Sequence, residues 1–165
     1  MIVLWLILAA VVVLAAVVLV RTARFTPGTA PAVPEGEETI DRDKAVENLR
    51  TLIRCRTVSN TNHALEDDAE FEKLINTLPT LYPNVFKTCK FERLEDRGLL
   101  FTWSGKEHTE PTVLMAHYDV VDVDEAGWKK PPFEGVLEDG VLWGRGALDT
   151  KVTFNGVLTA ADKLI

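Results

Sequence analysis

The run of apolar and polar positions divides the chain into two unlike parts. Met1 to Val20 are all apolar. As a helix they extend about 30 Å, the thickness of a hydrocarbon core. Trp5 falls near one end, and Arg21 and Arg24 mark the other. The pattern predicts a single-pass transmembrane anchor over residues 1–24. A cleaved secretory signal would need a basic start, a shorter apolar core and a small-residue cleavage site. No Lys or Arg precedes residue 21, and Ala30-Pro31-Ala32, which superficially fits a cleavage site, is Pro-flanked and far beyond the core. Over residues 25–40, Pro27, Gly28, Pro31, Pro34 and Gly36 mix with Glu35, Glu37 and Glu38 and predict an extended Pro-rich linker. Helical spacing then begins. Asp41 is a cap ahead of Val46, Leu49, Leu52 and Ile53 on one face, with the helix ending near 55–57. After a polar loop over 58–64, a second helix is predicted over 65–78 with Phe71, Leu74, Ile75 and Leu78 as its stripe. Glu66, Asp67 and Asp68 suit the positive end of its dipole, and Pro79 and Pro83 are expected to stop it.

The period then changes. Val85–Phe91 and Leu99–Trp103 have strand composition, with Arg97-Gly98 in the turn between them. Thr112–Ala116 is a continuous apolar run that predicts a strand covered on both faces, as inside a parallel sheet. Gly135–Leu137 and Val141–Trp143 flank Glu138-Asp139-Gly140 and predict a hairpin with Asp-Gly at its turn. Helical spacing returns over 150–165 with Phe154, Val157, Leu158, Ala161 and Leu164 or Ile165. The order predicts an α/β layer structure without internal repeats.

Composition narrows the function classes. The 165 residues carry 18 Lys+Arg against 25 Asp+Glu, a formal net charge of -7. That balance argues against phosphate-backbone binding as the main role, so no nucleic-acid partner is expected. No second long apolar run exists, which excludes a polytopic membrane protein. Two cysteines, Cys55 and Cys89, are too few for a disulfide framework or a cysteine-rich zinc site.

The informative polar positions sit where apolar runs end. In Met115-Ala116-His117-Tyr118-Asp119-Val120-Val121, residues two apart share a face, so His117 and Asp119 can point together into the crevice at a sheet's carboxyl end. They read either as a solvent-exposed strand end or as a metal-ligating imidazole with a carboxylate that fixes its tautomer. In Trp143-Gly144-Arg145-Gly146-Ala147-Leu148-Asp149-Thr150-Lys151, Asp149 falls where a helix begins. It reads either as that helix's cap or as a metal ligand at a loop–helix junction. The glycine spacing is not that of a phosphate loop or a dinucleotide fingerprint. Asp119, Asp122, Asp124 and Glu125 form an acidic loop without EF-hand spacing, which reads as solvated. His63 and His108 read as exposed loop residues, Cys55 as a small buried apolar side chain, and Glu37-Glu38 as linker.

Together the two stretches are more specific than either alone. Residues 114–151, from Leu-Met-Ala-His-Tyr-Asp-Val-Val through Gly-Trp-Lys-Lys-Pro-Pro-Phe to Trp-Gly-Arg-Gly-Ala-Leu-Asp-Thr-Lys, resemble the zinc metallopeptidase family of carboxypeptidase S, aminoacylase and succinyl-diaminopimelate desuccinylase. Within it they are most similar to the membrane-anchored or secreted carboxypeptidase S branch. Arg56-Thr57-Val58-Ser59 also resembles the turn after that family's first helix, so the likeness spans residues 41–165. The resemblance implies a three-layer α/β catalytic domain with a smaller lid domain and a dinuclear zinc site. It also implies hydrolysis of peptide or N-acyl-amino-acid amide bonds, with carboxypeptidase, dipeptidase and aminoacylase all left open. By the same resemblance His117 is a zinc ligand, Asp149 the carboxylate bridging both ions, and Asp119 the acid behind the histidine, the one catalytic position carried over.

The chain departs from the family pattern in one way. The family's Glu-Glu pair, a general base and a ligand, follows the bridging Asp by a few tens of residues, whereas Ile165 follows Asp149 by 165 − 149 = 16 residues. Glu37-Glu38 precedes the fold and cannot substitute. The expectation is therefore the N-terminal part of such an enzyme, inactive alone. The rival is a non-enzymatic membrane-anchored remnant whose partial metal site is unused. A carboxylate-pair hydrolase using Asp119 and Asp149 would leave His117 unexplained. Arg21 and Arg24 place the soluble part in the cytoplasm by the charge rule. The resemblance implies an extracytoplasmic or lumenal domain, which is the expectation adopted.

Overall fold

The computed structural model describes residues 1–28, 40–106 and 110–165. Glu37-Glu38, His108, Ala30–Ala32 and most of the predicted linker lie outside the described residues. The chain divides into two compact units, Met1–Glu38 and Thr39–Ile165.

In the first unit, α1 (Ile2–Ala23) is a 22-residue helix with mean hydropathy 3.3 over its most apolar window and no buried residue. Its length, about 33 Å, and its composition meet the requirement for a membrane span.

The second unit mixes helices and strands. Asp41 caps α2 (Arg42–Ile53), accepting the Lys44 N–H at 3.0 Å, and the helix buries Asn48, Leu49, Leu52 and Ile53. Asp67 caps α3 (Asp68–Leu81), accepting the Ala69 N–H at 3.0 Å, and α3 buries Phe71, Leu74, Ile75 and Leu78. Next come α4 (Pro83–Thr88), the antiparallel hairpin β1 (Lys90–Arg93) and β2 (Leu99–Thr102), and a second hairpin β3 (Val136–Glu138) and β4 (Val141–Trp143). Last is α5 (Lys151–Leu164), which buries Lys151, Phe154, Asn155 and Leu158. The core draws on α2, α3, α4 and α5 together with Tyr118. A polar seam runs through it: the Tyr82 hydroxyl donates to Asn155 Oδ1 at 2.7 Å, and Asn155 Nδ2 donates to the Ala45 carbonyl at 3.1 Å.

Three elements differ from the sequence pattern. Residues 83–88 are helical rather than extended. Pro83 takes the first helical turn, where its missing N–H costs nothing, and Asp162 of α5 accepts the N–H groups of Asn84 and Val85 at 2.7 and 3.1 Å. Pro79 does not stop α3. The Ile75 carbonyl gives up its intrahelical partner, but the helix continues because its last turn delivers Tyr82 into the core, fully buried, with its N–H on the Leu78 carbonyl.

Thr112–Ala116 is not a covered strand. Val113, Leu114 and Met115 are 71%, 69% and 84% exposed. A strand buried on both faces needs hydrogen-bonded neighbours and a layer on either side. Among the described residues, no strand lies beside this run, and the only parallel pairing is the bridge Val58↔Val120 just beyond it. The described residues thus show two separate hairpins rather than one layered parallel sheet.

Candidate functional site

The site is built on one turn. After α2 ends, the chain turns back through Cys55, Thr57 and Val58. Thr57, fully buried, donates its hydroxyl to the Tyr118 carbonyl at 2.6 Å. Its own carbonyl accepts the Val120 N–H at 2.8 Å, and Ser59 N–H returns to the Val120 carbonyl at 2.9 Å. Tyr118 and Val120 are thus pinned by backbone bonds and buried, which turns the alternate residues His117 and Asp119 toward the opposite side.

Asp149 arrives from the other direction. The run 144–146 crosses close above the same turn. A Cβ on Gly144 would lie 2.6 Å from Ile53 Cγ2, and one on Gly146 would lie 2.5 Å from Val120 Cγ1, at a φ of +78°. Only glycine fits there. Arg145 lays its guanidinium over the Trp128 ring at 5.2 Å. At the junction with α5 the cap position belongs to Thr150, and no side chain caps the helix. Asp149 is therefore not the cap. Its carboxylate, 90% exposed, turns to His117.

Three groups meet at His117. Nδ1 lies 3.0 Å from the Asp119 carbonyl oxygen and 3.2 Å from its Oδ1, and Nε2 lies 3.2 Å from Asp149 Oδ1. A carbonyl only accepts, so Nδ1 carries the proton and donates to it. In the neutral ring Nε2 then presents a lone pair to a carboxylate oxygen, which is repulsive. A proton or a cation must lie between them. Burial opposes charging of the ring, but the Asp119 carbonyl, the Asp149 hydrogen bond and both carboxylate charges outweigh it and raise the imidazole above its ordinary 6.5. The same geometry suits a metal: zinc–nitrogen and zinc–oxygen bonds near 2.1 Å at a tetrahedral angle put two ligand atoms about 3.4 Å apart. The residues present fit two donors of such a site. Among the described residues, no group of three or more His, Cys, Asp or Glu converges on one point.

This arrangement gives a first expected result. In Asp149→Asn the imidazole should titrate closer to 6.5, read by NMR of the His117 ring. A raised folded-state value means that the folded chain holds the proton more tightly. The stabilisation is complete below about pH 6.5 and is lost as pH rises through the folded value, so the variant should flatten that part of the stability profile. An unchanged titration would place the carboxylate elsewhere.

The other candidates separate clearly. In the acidic loop the carboxylates are engaged by their neighbours. Asp122 accepts the Val123 N–H, Asp124 accepts the Ala126 N–H, and Glu125 pairs with Arg56. His63 is exposed and bonds Glu66 at 3.1 Å. Cys55 is buried, and burial pushes its thiol up, as for an inert apolar side chain. Two positions have surroundings the sequence did not mark, and one of them, Glu66, lies ahead of α3 rather than in its first turn. Glu66, with its side chain 1% exposed, accepts the Asn60 N–H at 2.7 Å and pairs with Arg97, which hold its carboxyl down at about 2. Lys151 is fully buried, and burial pushes its ammonium down to about 8. A lysine at the first position of an amphipathic helix carries no sequence signal of burial.

Residues 113–165, which include His117, Asp119 and Asp149, match peptidase family M20/M25/M40. Over a longer stretch the chain is 36% identical to carboxypeptidase S of Saccharomyces cerevisiae across 137 residues, covering 75% of this chain and 23% of that protein. It is 34% identical to the human N-fatty-acyl-amino acid synthase/hydrolase across 141 residues, covering 82% and 28%. An uncharacterized carboxypeptidase of Schizosaccharomyces pombe is 32% identical across 154 residues, covering 84% and 26%. The chain spans about a quarter of the length of these relatives. The residues matched to peptidase family M20/M25/M40, 113–165, include His117, Asp119 and Asp149, and the relatives matched over most of this chain include a carboxypeptidase and an acyl-amino acid synthase/hydrolase.

Proposed function

We propose that this chain is the N-terminal, membrane-anchored part of a zinc-dependent hydrolase of peptide or N-acyl-amino-acid amide bonds. On this reading residues 1–24 anchor it, residues 25–40 are a spacer and residues 41–165 contribute to the catalytic domain, on the extracytoplasmic or lumenal side. In the three-layer α/β arrangement of that domain, Val113–Met115 would be covered by a neighbouring strand. The names of the relatives, a carboxypeptidase and an acyl-amino acid synthase/hydrolase, support the substrate class.

One observation carries the reading: the Nε2 of His117 and Oδ1 of Asp149 face each other at 3.2 Å while Asp119 holds the opposite ring nitrogen. That tautomer leaves the Nε2 lone pair free to ligate. Asp149 adds a negative donor with one oxygen to spare, which suits a bridging role between two ions. Asp119 raises the basicity of the ring through Nδ1. Bound zinc would polarise the scissile carbonyl and acidify a bound water. The apolar floor beside His117, a cavity of about 630 Å³ lined by Phe71, Phe101, Phe154 and Leu158, suits the apolar part of a substrate.

The test is a chimera in which this chain replaces the matching stretch of yeast carboxypeptidase S. With zinc it should hydrolyse a dipeptide or an N-acyl-amino acid. His117→Ala or Asp149→Ala should each lower kcat/KM by roughly a thousandfold or more, a loss of about 4 kcal/mol in transition-state stabilisation. Folded chimera whose turnover survives both changes would refute the assignment.

A further inference from the structure

Lys151 is the first residue of α5 and has 0% of its surface exposed. Among the described residues it makes no ion pair. Its Nζ donates instead to two carbonyls, Leu52 at 2.8 Å and Cys55 at 2.7 Å. Leu52 lies in the last turn of α2 and Cys55 just past its cap residue Arg54, at the negative end of the helix dipole, and the Leu52 carbonyl also accepts the Cys55 N–H at 3.2 Å. The ammonium is thus a C-terminal cap supplied by another helix. The Lys151 backbone N–H donates to the Gly146 carbonyl at 2.9 Å, and the lysine stem packs where a Gly146 Cβ would lie.

The same short stretch holds the other half of the site. Cys55 O also accepts the Thr57 N–H, and Thr57 pins Tyr118 and Val120 on either side of Asp119. Segments 117–119 and 149–151 therefore reference their positions to a single turn, residues 52–58. The first is held by the Thr57 hydroxyl and the Val58↔Val120 bridge, the second by the Lys151 ammonium. Asp149 is exposed, and among the described residues Lys151 is the one buried residue within two positions of it.

We propose that Lys151 is the positioning residue of the His117–Asp149 pair: its clamp on the Leu52 and Cys55 carbonyls sets where α5 begins, and so brings the Asp149 carboxylate to His117 Nε2. A lysine serves better than an arginine here because a compact ammonium reaches two carbonyls from one point, whereas a planar fork needs more room. The zinc arm of the proposal rests on the reading of His117 and Asp149 as ligands, while the geometric arm does not.

The test uses the full chain in detergent, with Lys151→Met, Lys151→Arg and a core variant on α3, Leu78→Ala, which removes none of the hydrogen bonds to residues 52–58. Two readouts are taken: the ring 15N resonances of His117 at one fixed pH without metal, and the dissociation constant for zinc. Lys151→Met should move the Nε2 resonance away from its wild-type position and raise the zinc dissociation constant about tenfold, the size of effect seen for groups that orient ligands. Lys151→Arg should recover part of both. Leu78→Ala should lower thermal stability and leave both readouts at wild-type values. Unchanged readouts in Lys151→Met, or equal shifts in Leu78→Ala, would overturn the proposal. If Lys151→Met does not fold, Lys151→Gln, whose shorter side chain keeps a neutral NH2 donor but loses the ammonium and its reach to both carbonyls, decides on the same terms. Failure of the wild-type chain to bind zinc at all would refute the ligand reading, and the 15N arm alone would then decide on Lys151.

Discussion

Zinc titrated into the 165-residue chain is expected to bind, but weakly, and His117→Ala should abolish the binding. Complete structural zinc sites with four ligands give roughly 10–16 kcal/mol at neutral pH. Among the described residues only His117 and Asp149 converge as direct donors, with Asp119 behind the ring. About half the donor set gives about 5–8 kcal/mol, a dissociation constant of roughly a micromolar to a few tenths of a millimolar. Removing the imidazole leaves a lone exposed carboxylate, whose affinity falls below what calorimetry detects. Affinity should also drop on acidification, because the proton between His117 Nε2 and Asp149 competes with the metal and the imidazole holds it above 6.5. Nanomolar binding, or micromolar binding that survives His117→Ala, would show that other groups hold the ion.

His117, Asp119 and Asp149 were all legible in the sequence, because each interrupts an apolar or glycine-rich pattern. What the pattern could not decide was the role of Asp149. A carboxylate ahead of a helix is read as its cap, and only the geometry shows that Thr150 takes that position and frees Asp149 for His117. The amphipathic helices α2, α3 and α5 were readable for the same reason, as their burial follows the 3.6-residue period. The segment 83–88 was not readable, because its helix depends on Asp162, 77 or more residues away, accepting two N–H groups. Lys151 was unreadable too. A charged side chain is expected outside, and its burial depends on two carbonyls, Leu52 and Cys55, brought to it at the end of α2.

The core and the exposed run 113–115 should respond to mutation in opposite ways. Leu74→Ala removes a side chain with no exposed surface from the middle of α3, in the cluster with Phe71 and Leu78. The lost transfer energy and the cavity together cost about 2–5 kcal/mol, a large share of the 5–15 kcal/mol that holds a typical domain. The unfolding midpoint should fall by roughly 8–20 °C, at about 4 °C per kcal/mol for a domain of this size. Leu114→Ser replaces an equally apolar residue that is 69% exposed and lies outside the core, so its effect should stay within about 0.5 kcal/mol. Thermal melts of the chain and both variants, followed by circular dichroism, give the comparison directly. The hydrophobic contribution scales with the area withdrawn from water rather than with the residue's type, so similar side chains at 74 and 114 should differ several-fold in cost. A Leu114→Ser chain that melts as early as Leu74→Ala would mean that the 113–115 run is covered in solution, and by more than the described residues provide.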